Sequence, residues 1–195
     1  SHQKSLTILT VAVIVAFSVV ATGALNYAAK HPSNILNGMI NGETGEAVEH
    51  DLDGATLTLE DSWTVSSFDD LTAIEKLYQN FSREGDEDLE GEWLILSPDE
   101  DPAILYCYDN EATTIQLSDL REALEEDENM TVESIEFHGI PAVEGTAQNP
   151  EKEDIIDYKQ ICFIANDKCY ELVVYHDKDD TAERIAQKIL DGLSF

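Results

Sequence analysis

The chain has 195 residues, of which 41 are acidic and only 11 are Lys or Arg, so its formal net charge is -30. A chain this acidic lacks the clustered cations that phosphate binding requires, which excludes nucleic acid as a partner and disfavours anionic lipid surfaces. The acidity is typical of a solvated, aggregation-resistant surface or of adaptation to a salty compartment.

The first element along the chain is an uncharged segment, residues 5–29. A helix of this length, rising about 1.5 Å per residue, spans the roughly 30 Å of a bilayer core. We therefore predict that residues 1–30 form a transmembrane or assembly helix. Its large apolar residues are Leu6, Ile8, Leu9, Val11, Val13, Ile14, Val15, Phe17, Val19, Val20 and Leu25.

Small residues near the end of this segment also suit cleavage as a signal peptide. The apolar part is longer than a usual signal-peptide core, and Lys4 is the only cation before it, so we favour a retained signal-anchor helix. A single N-terminal span by default places the following domain outside the cytoplasm. The glycosylation sequons at Asn80 and Asn129 agree with an exported domain.

After this helix the chain divides into a linker and one folded domain. Residues 31–54 contain Pro32, several glycines and little periodicity, which predicts a linker. Residues 55–195 are enough for an acidic globular domain with a core of its own.

Alternating apolar and polar residues predict strands at 55–59 and 63–67, and further strand-like runs predict six more, at 93–96, 103–108, 132–137, 140–144, 158–165 and 169–176. The last four form two hairpins, which turn at His138 with Gly139 and at Asn166 with Asp167. Apolar spacing predicts helices at 69–81 and 180–193, and a shorter helix with Ser118 as its N-cap. This order favours an α+β fold with a largely antiparallel sheet flanked by helices.

Four short stretches carry a family resemblance: residues 57–63 with their Trp, the turn at 139–142, the hairpin end at 169–172, and the C-terminal 189–195. Together they make residues 55–195 resemble PsbP-like domains. The resemblance implies an α-β-α sandwich with a central antiparallel sheet, and an N-terminal anchor of the kind that holds many prokaryotic members outside the cell. The photosystem and Ran-binding roles of relatives are not implied, because no matching site residues are evident.

Catalytic and cofactor motifs are absent from the sequence, so we expect no enzyme activity and no cofactor. The nearest approach to a metal site is Asp86, Asp88 and Glu90, which copy the first half of a calcium loop, although Ser97 stands where its last ligand belongs. This makes a weak calcium candidate. We interpret His50, His138 and His176 as turn or strand-edge residues, and Trp63, Trp93, Tyr106 and Tyr108 as sheet core.

The cysteines are too few for a disulfide scaffold. If Asn166 and Asp167 form the turn, Cys162 and Cys169 share one face of the hairpin but lie diagonally, about 7–8 Å apart. That separation is too wide for easy bridging. We therefore favour free, half-buried thiols at these positions and leave Cys107 unassigned.

Three functions agree with these features. The first is a non-enzymatic, membrane-anchored extracytoplasmic domain that binds or organises an unidentified protein partner at the cell surface. The second is a pilin-like filament subunit that polymerises with neighbouring copies through its apolar helix. The third is an accessory single-span subunit of a membrane complex. The apolar pattern of residues 5–29 does not separate a bilayer span from a helix in a filament core.

Overall fold

The computed structural model describes residues 45–99, 101–147, 157–176 and 181–195. The predicted N-terminal helix and residues 31–44 of the predicted linker lie outside these ranges. Within them, no helix is long and apolar enough to cross a membrane.

The described residues form ten strands, two α-helices and two short 3₁₀ helices. The strands are β1 (Ala47–Asp51), β2 (Thr56–Glu60), β3 (Thr64–Ser67), β4 (Leu89–Leu96), β5 (Pro102–Asp109), β6 (Met130–Phe137), β7 (Ile140–Ala147), β8 (Asp157–Ala165), β9 (Lys168–His176) and β10 (Leu193–Ser194). The α-helices are α1 (Leu117–Glu125) and α2 (Thr181–Gly192), and the 3₁₀ helices are Phe68–Asp70 and Glu75–Phe81.

Seven strands build a large sheet in the order β3-β4-β5-β9-β8-β7-β6, and β1-β2-β10 form a small sheet. Every pairing in both sheets is antiparallel. The predicted α+β class with a largely antiparallel sheet is therefore confirmed.

The large sheet has a hydrophobic core on each face, because successive side chains of a strand point to opposite faces. In β5, Leu105 faces one core and Tyr106 the other, and both are fully buried. The first core lies under α2 and the small sheet, and the second lies under α1 and the 3₁₀ helices. Helices thus flank the sheet on both sides.

Residues 47–51 were predicted as part of the linker, but they form strand β1. The linker prediction was wrong for these residues. β1 pairs with β2 along its whole length, and the turn between them has positive φ at Asp53 and Gly54. Four of the five β1 residues are exposed, so the strand carries no clear alternation. The next residue, Leu52, is completely buried.

The predicted amphipathic helix at 69–81 is replaced by the two 3₁₀ helices. Between them, Thr72 and Glu75 exchange backbone-to-side-chain hydrogen bonds of 3.1 and 3.3 Å. With three residues per turn, Glu75, Tyr78 and Phe81 share one face, and all three are buried. Ile74, predicted to be buried, is instead 61% exposed.

Other local predictions hold with small corrections. Both predicted hairpin turns form, with positive φ at both turn residues of each, which is the geometry of tight two-residue hairpins. Helix α1 has Gln116 rather than Ser118 as its N-cap, because the Asp119 carboxylate accepts the Gln116 N–H at 2.9 Å. The C-terminal helix ends at Gly192, where a side chain would meet the Thr58 carbonyl oxygen at 2.2 Å.

A truncation experiment tests the role of β1. A fragment of residues 45–195 is expected to fold into a monomer of mixed helix and strand. A fragment of residues 55–195 is expected to be less stable, because it loses the β1 pairing and the buried Leu52, whose burial alone contributes about 1.5–3 kcal/mol. Denaturant unfolding followed by circular dichroism measures both. Equal unfolding midpoints would show that β1 contributes nothing.

Candidate functional site

A buried polar cluster lies on the α1 face of the large sheet, where the segment between β3 and β4 crosses it. Arg83 follows the second 3₁₀ helix, Glu171 lies in β9, and Gln160 lies in the neighbouring strand β8. The side chains of Arg83 and Glu171 are only 9% and 1% exposed, and Gln160 is completely buried. A charged pair at the centre of a sheet is costly unless its groups are well partnered.

Glu171 Oε2 is the shared acceptor of this cluster. Arg83 Nη1 donates to it at 3.3 Å and Gln160 Nε2 donates at 3.1 Å. Arg83 Nη1 also donates to the Tyr108 hydroxyl at 2.8 Å. The guanidinium carbon lies 3.4 Å from the centroid of the Tyr106 ring, which adds a cation–π contact.

Burial and charge act in opposite directions on Arg83. Burial favours loss of its proton, but the Glu171 carboxylate, with Tyr106 and Tyr108, outweighs burial and raises the pKa of Arg83 above its usual value. Burial also raises the pKa of both tyrosines above their ordinary value, although Arg83 opposes that shift. The cluster therefore contains one fixed cation and neutral phenols at physiological pH.

The same arginine fixes the chain around it. Its backbone N–H donates to Glu92 Oε2 at 2.9 Å, and the Ser82 hydroxyl donates to Glu92 Oε1. The Tyr106 hydroxyl donates to the Phe81 carbonyl at 2.9 Å. Residues 81–83 are thus held to β4 and β5 by both backbone and side-chain bonds.

Beside this attachment is an open cleft of about 210 Å³ between the β1–β2 turn, the first 3₁₀ helix and the start of β4. Trp93 lines it and packs so closely on Gly91 that a side chain there would meet the indole Cη2 at 2.3 Å. The cleft is lined by six carboxylates: Asp53, Asp69, Glu84, Asp86, Glu90 and Glu92.

The charge of the cleft is negative, and cations nearby are already engaged. Lys168 Nζ lies 2.5 Å from Glu90 Oε2, and Arg83 is paired with Glu171. Burial raises the pKa of Glu92, and Asp69 adds to this, while hydrogen bonds from Ser82 and Arg83 oppose it. This arrangement repels anions from the cleft.

The calcium-like residues do not converge. Asp86 precedes β4 and Glu90 lies inside it, engaged with Lys168. Ser97, the twelfth position, follows the extended strand and lies roughly 23 Å along it from Glu90, at about 3.3 Å per residue. Among the described residues, no three His, Cys, Asp or Glu side chains are placed to hold a metal ion.

Of the other predicted site residues, Tyr106 and Tyr108 contact Arg83 in the cluster, and the rest lie away from it. Asn80 and Asn129 are exposed, so both sequons are accessible. His50 lies in β1, a strand that the sequence did not predict, whereas His138 lies in the predicted β6–β7 turn and His176 at the end of β9. The four predicted core aromatics, Trp63, Trp93, Tyr106 and Tyr108, are all buried.

Cys162 and Cys169 are free, as predicted, but they are buried rather than half-buried, and Cys107 is also free and buried. Cys162 pairs with Glu171 across the hairpin and Cys169 with Ile164, which gives the expected diagonal arrangement. Burial raises the pKa of Cys107 to about 11 and shifts the pKa of Cys162 and Cys169 in the same direction. All three thiols are therefore held in their unreactive neutral form.

Sequence reasoning missed Arg83, Glu171 and Gln160. Arg83 lies among charged residues between the predicted 69–81 helix and the predicted strand at 93–96, and it is one of three arginines in the chain. The available signal was Glu171, a carboxylate at an inward position of an otherwise apolar strand. A buried carboxylate implies a cation nearby, and the scarcity of arginines narrows the search for that partner.

Comparison with family models and with curated proteins found no match. Among solved structures, the chain is similar to cyanobacterial PsbP (CyanoP) from Synechocystis sp. PCC 6803, at 7% identity and a TM-score of 0.48, covering 76% of this chain and 91% of that one. It is also similar to PA94 from Pseudomonas aeruginosa, a protein of unknown function described as a putative regulator. That match has 12% identity and a TM-score of 0.36 and covers 77% of this chain and 98% of that one.

Replacing Arg83 tests the buried ion pair. Arg83→Met should lower the free energy of unfolding by about 3–5 kcal/mol, because Glu171 is left buried without its cation. The matched control is Arg121→Met, which removes an exposed pair with Glu125 and should cost at most about 1 kcal/mol. Urea unfolding measures both variants, and equal losses would contradict a special role for Arg83.

The raised pKa of Glu92 predicts an unusual pH dependence. A carboxyl group whose pKa is raised on folding binds its proton more tightly in the folded state, so its contribution to stability increases as the pH falls from about 7 towards about 5. Glu92→Gln should flatten this part of the stability profile.

The control for this variant is Glu128→Gln, which removes the same charge at an exposed position. It should retain the wild-type slope between the two pH values. Chemical denaturation at a series of pH values provides the measurement, and a Glu92→Gln profile parallel to that of the wild type would refute the assignment.

Proposed function

We propose that this chain is a non-enzymatic binding or assembly domain, anchored at the membrane by residues 5–29, with its globular part outside the cytoplasm. The observation that carries the proposal is the separation of charge along the chain. Residues 5–29 hold no charged side chain, while the net charge of the whole chain is -30. An apolar segment of this length is suited to lipid or to a packed helical assembly, and an acidic domain is suited to water.

The chemistry of the folded domain supports a binding role. Its thiols are buried with raised pKa values, and its buried Arg83 is already paired with Glu171. The cleft beside the buried cluster is lined by six carboxylates and repels anions. We therefore propose a protein partner with a neutral or cationic contact surface, and no nucleic acid.

We further propose that residues 55–195 belong with PsbP-like domains. The support is the set of sequence stretches that resemble that family, together with an antiparallel sheet that has helices on both faces, as the resemblance implies. The motif residues Trp63 and Leu193 are both buried in the first core. The proposal concerns ancestry and architecture and assigns no photosystem role.

Localisation tests the anchoring part of the proposal. Val15→Arg should release the chain into the soluble fraction, because an arginine at mid-membrane costs about 2.5–3.5 kcal/mol of insertion free energy. The domain's melting temperature should not change. Val48→Arg is the matched control, since Val48 is 38% exposed on β1, and this variant should stay in the membrane fraction.

Detergent extraction followed by negative-stain microscopy then separates the assembly alternatives. A detergent-soluble monomer supports the anchored domain. Filaments that disappear with Val15→Arg would instead establish the pilin-like subunit, and a large co-purifying complex would establish the accessory subunit. Membrane association unaffected by Val15→Arg would refute the role given to residues 5–29.

A further inference from the structure

Strand β1 forms one edge of the small sheet and is hydrogen-bonded to β2 alone. At its two ends, Asp61 N–H donates to the Glu46 carbonyl and Leu52 N–H donates to the Ala55 carbonyl, both at 2.8 Å. Because the direction of the backbone groups alternates along an antiparallel strand, the even-numbered residues of β1 bond to β2. The residues whose N–H and C=O groups point away from β2 are Ala47, Glu49 and Asp51.

The other sheet edges in the described part of the chain are less open. β10 has only two residues. At β3, the Ser66 hydroxyl donates to Glu75 at 2.7 Å, which holds the second 3₁₀ helix close to that strand. At β6, Arg121 of α1 donates to the Ser134 hydroxyl, so a helix and a cation lie beside that edge. β1 has no helix bonded to it within the described ranges, and four of its five residues are exposed.

The residues along the β1 edge are acidic. They are Glu46, Glu49, Asp51 and Asp53, and none of them forms a salt bridge within the described part of the chain. Glu49 and Asp51 pair with residues of β2 that alternate with the buried Leu57, so both lie on the solvent-facing side of the small sheet. Asp53 also lines the acidic cleft, so the edge leads into that cleft.

The free backbone groups and the charge together define what can pair with this edge. A second copy of the chain would bring the same acids to the contact and a net charge of -30 of its own, and like charges on paired strands repel each other. An extended segment with Lys or Arg at every second position places its cations on the same face as Glu49 and Asp51. Its backbone supplies the partners that the outward N–H and C=O groups lack.

We infer that the open edge of β1 is a docking site for a protein partner, which adds an extended basic segment to the small sheet as a fourth strand. The inference rests on the proposed binding role and gives that role a location and a partner chemistry. In strand addition of this kind, main-chain hydrogen bonds supply affinity and the side chains supply specificity. A basic residue that follows the paired segment past Asp53 meets the carboxylates of the cleft.

Peptide binding to the full chain in detergent tests this inference. The probe is a fluorescent peptide of alternating Lys and Val, and its control is the same peptide with every backbone amide N-methylated, which keeps the charge but donates no backbone hydrogen bond. Fluorescence anisotropy is expected to show saturable binding of the first peptide and much weaker binding of the second. Equal binding of both peptides, which general attraction to an acidic chain would produce, overturns the inference, as does no binding of either.

Three variants locate the binding on β1. Ala47→Pro removes an outward N–H but no bond to β2, and should weaken binding about two- to tenfold. Glu49→Gln removes one cross-strand charge and should weaken binding by up to about fivefold. Glu136→Gln makes the same change at an exposed position of β6 and should leave the affinity unchanged. Unchanged affinity in Glu49→Gln, or an equal loss in Glu136→Gln, overturns the inference even if Ala47→Pro does not fold.

Two further measurements separate this site from the alternatives. Sedimentation of the full chain without peptide should show no dimer, and a dimer that Ala47→Pro abolishes would assign the edge to a second copy and overturn the inference. Cell fractionation follows anchoring independently of peptide binding. A chain that stays in the membrane fraction but does not bind the peptide refutes the β1 site alone, whereas a soluble chain that binds it refutes the anchor alone.

Discussion

The ion pair between Arg83 and Glu171 is the interaction on which the arrangement of the α1 face depends. It places a loop residue against the central strands of the large sheet, and the ring of Tyr106 and the hydroxyl of Tyr108 complete its surroundings. A buried pair gains little over an apolar contact of the same volume, but the loss of either partner is severe. The pair therefore ties the position of the segment after the second 3₁₀ helix to the central strands of the sheet.

The scarcity of cations explains why this pair has such weight. The chain has 11 Lys and Arg against 41 acids. Each cation that pairs with a carboxylate on another strand or helix holds those two elements together. In the described residues such contacts join β9 to β4, β8 to β7 and α2 to β2. The pairs are Lys168 with Glu90, Lys159 with Glu144, and Lys188 with Glu60. Because partly buried pairs are screened less by salt than exposed ones, the Lys159–Glu144 pair, whose side chains are 13% and 16% exposed, is the least sensitive of the three to ionic strength.

The sequence predicted the parts of the fold that local patterns determine. The eight predicted strands follow from short alternating or continuous apolar runs, and both hairpin turns follow from residues that tolerate positive φ. β1 was missed because its exposed residues show no alternation. The 69–81 helix was wrong because extended backbone at Leu71 divides the segment into two short 3₁₀ helices. The site was missed for another reason: the contact of Arg83 with Glu171 spans 88 positions and exists only once the sheet has formed.

The weak calcium candidate was based on residue spacing alone and did not take account of strand β4. Asp86, Asp88 and Glu90 have calcium-loop spacing, but the loop requires the chain to curl back on itself, and β4 begins at Leu89 instead. The same extended strand places Glu92 where it accepts hydrogen bonds from Ser82 and Arg83. The acidic residues of this segment thus have two separate roles, since one fixes the loop to the sheet while the others give the cleft its negative charge. The buried arginine thus helps to set the position of one side of the cleft, and the remaining acids set its charge.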